Sequence, residues 1–346
     1  MRNPLISRKT RGFVVRKMRK HPKYAAFIFL VWVALVFLTF AFSDRFPFDA
    51  DFSSPDSLEN VSRLPAYDDS EFTLRAGGIV RIATWNLKNY TVSNRRVNGK
   101  WIEYPKPNSE KKSVVEALKK IDADVVLVQE IGDAEFMKEL RDSLAESGLV
   151  YNYCAVAKCD SYARLGILSR LKPESFFDFS TVRFEFRGDN RYSPRGTFGA
   201  GFETHGVKWY AFSIHLKSKQ GARKSDENFT PFRFAELRAI DAKISSAVGG
   251  NSAVVVAGDF NDEPSSALLR NLKTLKLGLV GQADSRGNPH TYFWRKKNIN
   301  YVYDYFLVSP LMRNYVEGKG RVFTSIENAS DHFPVFLDLK FGAAQN

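Results

Sequence analysis

Hydrophobic and polar positions follow three different patterns along the chain. Residues 24–42 run for 19 positions without a charge, and no polar face interrupts them. A helix rises about 1.5 Å per residue, so roughly 20 residues span a bilayer core. This run predicts one transmembrane helix. A cleaved leader would have a shorter apolar core and a small-x-small exit, which Phe40-Ala41-Phe42-Ser43 does not supply. Residues 43–78 lose all periodicity among prolines and end at Gly77-Gly78, the pattern of a spacer.

From residue 79 onward the apolar runs become short. Buried strands are predicted at 79–85, 124–128, 150–156, 165–169, 182–187, 197–204, 207–214, 253–257, 303–308 and 335–339. Helical spacing marks 109–121, where Val114, Leu118 and Ile121 share a face, and also 134–145 and 231–248. Residues 88–108 read as a polar, basic connection. Strands crowd the middle and alternate with helices elsewhere, which predicts a mixed α/β sandwich and argues against a regular doubly wound sheet.

Charge changes this picture at the N-terminus. Residues 1–23 carry nine basic residues and no acid, whereas 43–78 carry eight acids against three bases. Basic residues flank the cytoplasmic side of a membrane helix. The expectation is a cytoplasmic tail at 1–23, an anchor at 24–42, a spacer at 43–78 and an extracytoplasmic domain at 79–341, a bacterial inner-membrane protein facing the periplasm. The region 79–346 has a net charge of +9, which favours anionic partners: phosphates, nucleic acid or acidic lipid. Nothing in the pattern calls for an obligate protein partner. Cys154 and Cys159 are too few for a zinc site, and either a small disulfide loop or two free thiols fits them. Sequons at Asn60, Asn89, Asn228 and Asn328 include two beside the motifs described next, where a glycan would obstruct access; they read as chance matches.

Six apolar strands begin or end at a residue able to bind a metal or a phosphate: Asn86, Glu130, His215, Asp259 with Asn261, Asp304, and Ser330-Asp331-His332. One such residue is an ordinary turn. Six, all oxygen or imidazole donors, point to a site. Carboxylates suit hard cations such as Mg²⁺ or Mn²⁺. Phosphoryl transfer needs a cation, a positioned water and donors for the non-bridging oxygens. A His held by an Asp can act as a base or as a phosphate-binding cation.

The order of these segments resembles the endonuclease/exonuclease/phosphatase superfamily, in its deoxyribonuclease and sphingomyelinase-like branch. The resemblance rests on Ala83-Thr84-Trp85-Asn86-Leu87, Val128-Gln129-Glu130, His215-Leu216-Lys217-Ser218-Lys219, Gly258-Asp259-Phe260-Asn261 and Ser330-Asp331-His332. It implies a four-layer αββα sandwich of two mixed β-sheets. It also implies a divalent cation on Glu130 with Asn86 beside it and Asp331 nearby. Asp259 would align or deprotonate the attacking water, Asn261 would help orient it, and His215 would contact the phosphate. His332 would be base or stabiliser, its ring oriented by Asp304. Arg164, Lys217 and Lys219 would reach the substrate. Many members carry Arg-x-Asp-Tyr where this chain reads Val302-Tyr303-Asp304-Tyr305, so one substrate contact of those members is missing.

The expected reaction is hydrolysis of a phosphate ester, with DNA or RNA the leading substrate and lipid headgroups or small esters the alternative. Basic runs at Arg95, Arg96 and Lys100, at Lys217, Lys219, Arg223 and Lys224, and at Arg295–Lys297 fit either anion. Trp101 and Trp294 stand beside two of these runs, placed to stack on bases or to pack in the core. An inactive binding module would have lost site residues, and none of the central ones is missing.

Overall fold

The computed structural model describes residues 61–67, 72–159, 161–219, 230–264 and 267–342. The predicted tail and anchor lie outside them. Among the described residues no helix is long and apolar enough to cross a membrane.

Two mixed sheets form the domain. The strands of the first are β1 (Ser62–Arg63), β2 (Ile79–Tyr90), β3 (Val125–Ile131), β4 (Tyr153–Val156) and β5 (Arg164–Ser169), then β11 (Gln282–Ala283), β13 (Val316–Val322) and β14 (Val335–Lys340). Their order is β1-β4-β5-β3-β2-β14-β13-β11. The second sheet is built from β6 (Ser175–Phe179), β7 (Thr197–Thr204), β8 (Val207–His215), β9 (Ala253–Asp259), β10 (Gly278–Leu279) and β12 (Asp304–Val308). Its order is β10-β12-β9-β8-β7-β6. Three longer helices are α1 (Asn108–Ile121), α2 (Ala134–Glu146) and α3 (Thr230–Val248).

Strand period two explains the packing. In β3, Val125 and Leu127 enter a core shared with the second sheet, while Val126 and Val128 face Val114, Leu118 and Ile121 of α1 and Leu140 of α2. In β9, Val255 and Ala257 join the shared core, while Val254 and Val256 face Leu237, Ile240 and Ile244 of α3. Apolar runs buried on both faces are what such strands require. Helices therefore cover the outer face of each sheet, and the two inner faces meet. Gln129 crosses that meeting plane, donating through Nε2 to Thr84 Oγ1 at 3.0 Å and to Ser213 Oγ at 2.9 Å.

Each sheet is built around one parallel pair joined by a helix. β2 and β3 pair in parallel across α1, and β8 and β9 pair in parallel across α3. Parallel strands end on the same edge, so the residues at their C-terminal ends are brought side by side. The registers set Asn86 opposite Gln129 and His215 opposite Asp259, and the antiparallel β12 sets Asp304 opposite Asp259.

Several boundaries depart from expectation. α1 begins at Asn108 behind Pro107, with no side-chain cap, so Ser109 is inside the helix and not its cap. α2 is capped as its sequence allows, Asp133 accepting from the Glu135 N–H at 3.1 Å. The stretch 88–108 is not a plain connection, since Ser93–Val97 and Lys100–Tyr104 form a two-stranded hairpin. Its turn residues Asn98 and Gly99 have φ of 49° and 81°, the two positive values a tight hairpin turn needs. The packed fold also starts before residue 79: Val61 is buried and Ser62–Arg63 pair with β4. Cys154 and Cys159 are not joined in a disulfide, and Cys154 is buried in β4.

Candidate active site

The strand ends converge on Asp259. One of its oxygens, Oδ2, accepts from Asn86 Nδ2 at 3.1 Å and lies 3.3 Å from His215 Nε2. The same oxygen is 3.8 Å from His332 Nε2. Oδ1 accepts the Asn261 N–H at 2.8 Å, a turn bond that fixes the carboxylate plane. Asn261 Nδ2 donates to Leu216 O at 3.0 Å, tying the β9 turn to the end of β8.

This proximity depends on Gly258. Its φ is +148°, and a Cβ there would fall on the Ile214 carbonyl oxygen. Only glycine lets β9 approach β8 closely enough to set Asp259 beside His215.

Glu130 enters from the other sheet. It sits at a register shift where β3 bulges against β5, with φ of +59°. A left-handed glutamate costs about 1–3 kcal/mol. The Asn89 N–H donates to Glu130 Oε2 at 2.8 Å, and bonds of this charge-assisted kind are strong enough to offset that cost. The second oxygen, Oε1, faces Asn86 Nδ2 at 3.2 Å and His215 Nε2 at 4.0 Å.

His332 is held on three sides. Its Nδ1 donates to Asp304 Oδ2 at 2.8 Å. Its N–H donates to Ser330 Oγ at 3.1 Å, and Ser330 in turn donates to Asn86 O at 2.8 Å. Trp85 Nε1 donates to His332 O at 2.9 Å, and the Tyr292 ring packs against the imidazole with centroids 4.6 Å apart. Thr291 Oγ1 accepts from the Asp304 N–H at 2.9 Å. Of these supports, Thr291, Tyr292, Ser330 and the Asn89 amide were not singled out as supports from the sequence. Sequence motifs mark polar ends, not the groups that hold them.

Electrostatics divides the roles. Burial alone would lower the His332 pKa, but the Asp304 and Asp259 carboxylates outweigh it and hold it up at about 10. His332 is therefore an imidazolium at neutral pH. Burial raises Asp259 to about 6, with His332 pulling it down and Asp304 pushing it up. It is still ionised at neutral pH and basic enough to accept a proton. Burial, helped by Arg195, His332 and Lys217, pushes His215 well below the ordinary histidine value, so it is neutral. His215 Nδ1 and Asp304 Oδ1 have no hydrogen-bond partner among the described residues.

Asp259, Asp304 and His332 present atoms within 4.8 Å of one another, a spacing that fits an ion. Within this group, His332 Nδ1 and Asp304 Oδ2 are already joined in a 2.8 Å hydrogen bond. The hard oxygen donor left for a cation is Glu130 Oε1, next to the buried Asp259 carboxylate; the Asn86 oxygen accepts the Lys88 N–H at 2.9 Å while its Nδ2 faces both carboxylates. That donor set fits Mg²⁺ or Mn²⁺.

The remaining predicted residues lie around this cluster. Asp331 Oδ2 pairs with Lys88 Nζ at 3.5 Å at the partly exposed rim. Lys219 Nζ reaches Asp262 Oδ1 at 3.1 Å, and Lys217 Nζ donates to Ser218 O at 3.3 Å. Arg164 lies opposite Ile131, beside the Glu130 bulge, and its Nε donates to Ser161 O at 3.1 Å. Arg223 and Lys224 lie outside the described residues.

Solved structures share this architecture at low identity. A beta toxin from Staphylococcus aureus matches with TM-score 0.55 and 14% identity, over 75% of this chain and 99% of that one. A double mutant of beta toxin from the same organism, with bound magnesium ions, matches with TM-score 0.53 and 16% identity, over 75% and 98%. The human Nocturnin catalytic domain with bound sulfate matches with TM-score 0.51 and 17% identity, over 80% and 96%. No curated protein matches the chain in sequence. The model of the Endonuclease/Exonuclease/phosphatase family matches residues 83–332, a span that runs from the first motif to His332. With the whole convergent cluster inside that match, the chain belongs to the endonuclease/exonuclease/phosphatase family.

Proposed function

We propose that this chain is a membrane-anchored, divalent-metal-dependent hydrolase that cleaves phosphodiester bonds of nucleic acid by in-line attack of water. The observation that carries the reading is the placement of the Asp259 carboxylate between two imidazoles, 3.3 Å from His215 Nε2 and 3.8 Å from His332 Nε2. Asp259 accepts a proton from the attacking water as its oxygen bonds to phosphorus. Asn261 keeps the Asp259 carboxylate turned toward that water. His215 donates to a phosphate oxygen, and the His332 imidazolium stabilises charge on the phosphorane. The bond to the leaving oxygen then breaks, that oxygen takes up a proton from solvent water, and Asp259 returns its proton to solvent. Asp304 keeps the imidazole ring oriented and charged. A cation held by Glu130, with Asn86 and Asp331 beside it, would neutralise charge on the phosphate and the leaving oxygen. The magnesium ions of the similar beta toxin structure support this assignment.

Placement rests on the sequence. The apolar run 24–42 behind a basic tail supports a single anchor with the 79–341 domain outside the cytoplasm. Lys217, Lys219 and Arg164 flank the cluster and are the substrate-side cations in this reading.

The test is a substrate panel. The full chain in detergent is supplied with Mg²⁺ or Mn²⁺ and offered DNA, RNA, phospholipid and bis-nitrophenyl phosphate. Cleavage of nucleic acid and of the generic ester, abolished by a chelator, is expected. Cleavage of phospholipid or the generic ester without nucleic acid would move the assignment to headgroups or small esters.

A further inference from the structure

The hairpin 93–104 is an arm whose base is built into the site. Arg95 Nη2 donates to Asn89 O at 2.5 Å, and Lys106 Nζ donates to Lys88 O at 3.3 Å. These two carbonyls belong to consecutive left-handed residues, with φ of 50° at Lys88 and 52° at Asn89. The same Asn89 directs its N–H at Glu130. The arm therefore leaves the domain a few residues from the catalytic cluster.

Its outer flank is open. Residues directly opposite in an antiparallel pair share a face. Arg96 faces Trp101, while Arg95 and Ile102 lie on the other face, where Arg95 is braced against the domain. Trp101 is 69% exposed, Arg96 is exposed opposite it on the same face, and Lys100, the neighbouring strand residue, is exposed on the Arg95 face. A large aromatic left in water with one cation on its face and a second at the hairpin's other face fits a ligand that has flat faces and a chain of negative charges able to pass round the strand. A bilayer is the poorer fit. A hairpin that enters lipid carries its apolar residues at the tip, and this tip is Asn98-Gly99 with the aromatic on the flank.

We propose that the hairpin is a docking arm for single-stranded nucleic acid, Trp101 stacking on a base while Arg96 and Lys100 meet the backbone phosphates. The inference rests on the nucleic-acid reading above and adds where the strand lies.

The test uses the full chain in detergent micelles and a fluorescein-labelled oligothymidine, with anisotropy read in the presence of chelator so that the strand stays intact. Trp101→Ala should weaken binding about tenfold. Removing both Arg96 and Lys100 as alanines should flatten the dependence of log K on log salt by about 1.4. The ratio of oligonucleotide to bis-nitrophenyl phosphate kcat/KM should fall with binding. Wild-type affinity and salt slope in both variants, with nucleic acid still cleaved, would overturn the arm alone. A wild type that neither binds nor cleaves nucleic acid would overturn the arm together with the reading beneath it. Fluorescence lost in Trp101→Phe that brominated phosphatidylglycerol quenches, and oligonucleotide does not, would overturn the arm in favour of a lipid surface.

Discussion

At the residue scale, three titratable groups share one oxygen yet carry different charges. Burial is common to all, so burial alone does not separate them. The partner decides: Asp304 holds His332 charged, whereas burial, helped by the positive charge of Arg195, His332 and Lys217, keeps His215 neutral. This gives a pH prediction. His332 is raised, so its charge is present at neutral pH and is lost as pH rises through about 10. Wild-type turnover should hold level from neutral pH to the approach of that value. Asp304→Asn removes the carboxylate that keeps the charge, so the alkaline fall should move to lower pH. A pH–rate profile of the two proteins checks this, and coincident alkaline limbs would refute the role of Asp304. The six polar strand ends were legible in the sequence because each follows or opens an apolar run. Glu130 in a left-handed bulge and Tyr292 against His332 were not. Backbone hand and cross-element stacking leave no local pattern.

At the element scale, the close parallel pair β8–β9 holds the site edge together, and a tie from β2 to β14 holds the first sheet at its opposite end. Gly258→Ala places a methyl on the Ile214 carbonyl, so the pair must part. The variant should lose both stability and turnover, and unchanged kinetics would show that the strand spacing is not critical. Arg81 grips Asp338 with two bonds, Nε to Oδ1 at 2.8 Å and Nη2 to Oδ2 at 3.2 Å. Arg81→Ala should cost about 2 kcal/mol. For a domain of this size that is a fall in Tm of roughly 5 °C. Despite partial burial, Arg81 and Arg321 hold the Asp338 pKa below its usual 3.8. The contribution is thus full above that value and is lost as pH falls through the depressed one. The variant and wild type should converge in Tm in strong acid. Most strands and all three longer helices were legible to within a few residues. The hairpin was missed although Asn98-Gly99 is a strong turn signal, because its flanking strands are polar on both faces. β13 was missed for the same reason, as Val316–Val322 is largely exposed and rich in Gly and charge.

At the scale of the whole molecule, function follows from how two sheets meet. Each sheet contributes the C-terminal edge of one parallel pair, and Gln129 pins the two beneath the cluster. One sheet brings Asn86, Glu130 and the His332 loop, while the other brings His215, Asp259 and Asp304. No single element holds the site, so sequence order alone could place its members only through family resemblance. The mixed α/β character was readable from strand and helix spacing. The pairing of two similar half-sheets was not, since the halves share no repeated wording. The central claim is that Asp259 takes the proton of the attacking water within this convergence. The most direct measurement is the initial rate of bis-nitrophenyl phosphate hydrolysis in Mg²⁺ or Mn²⁺ by the full chain and by Asp259→Asn, with far-UV circular dichroism on both. The account predicts a loss of about a thousandfold with an unchanged spectrum. A folded Asp259→Asn variant that keeps wild-type turnover would contradict it.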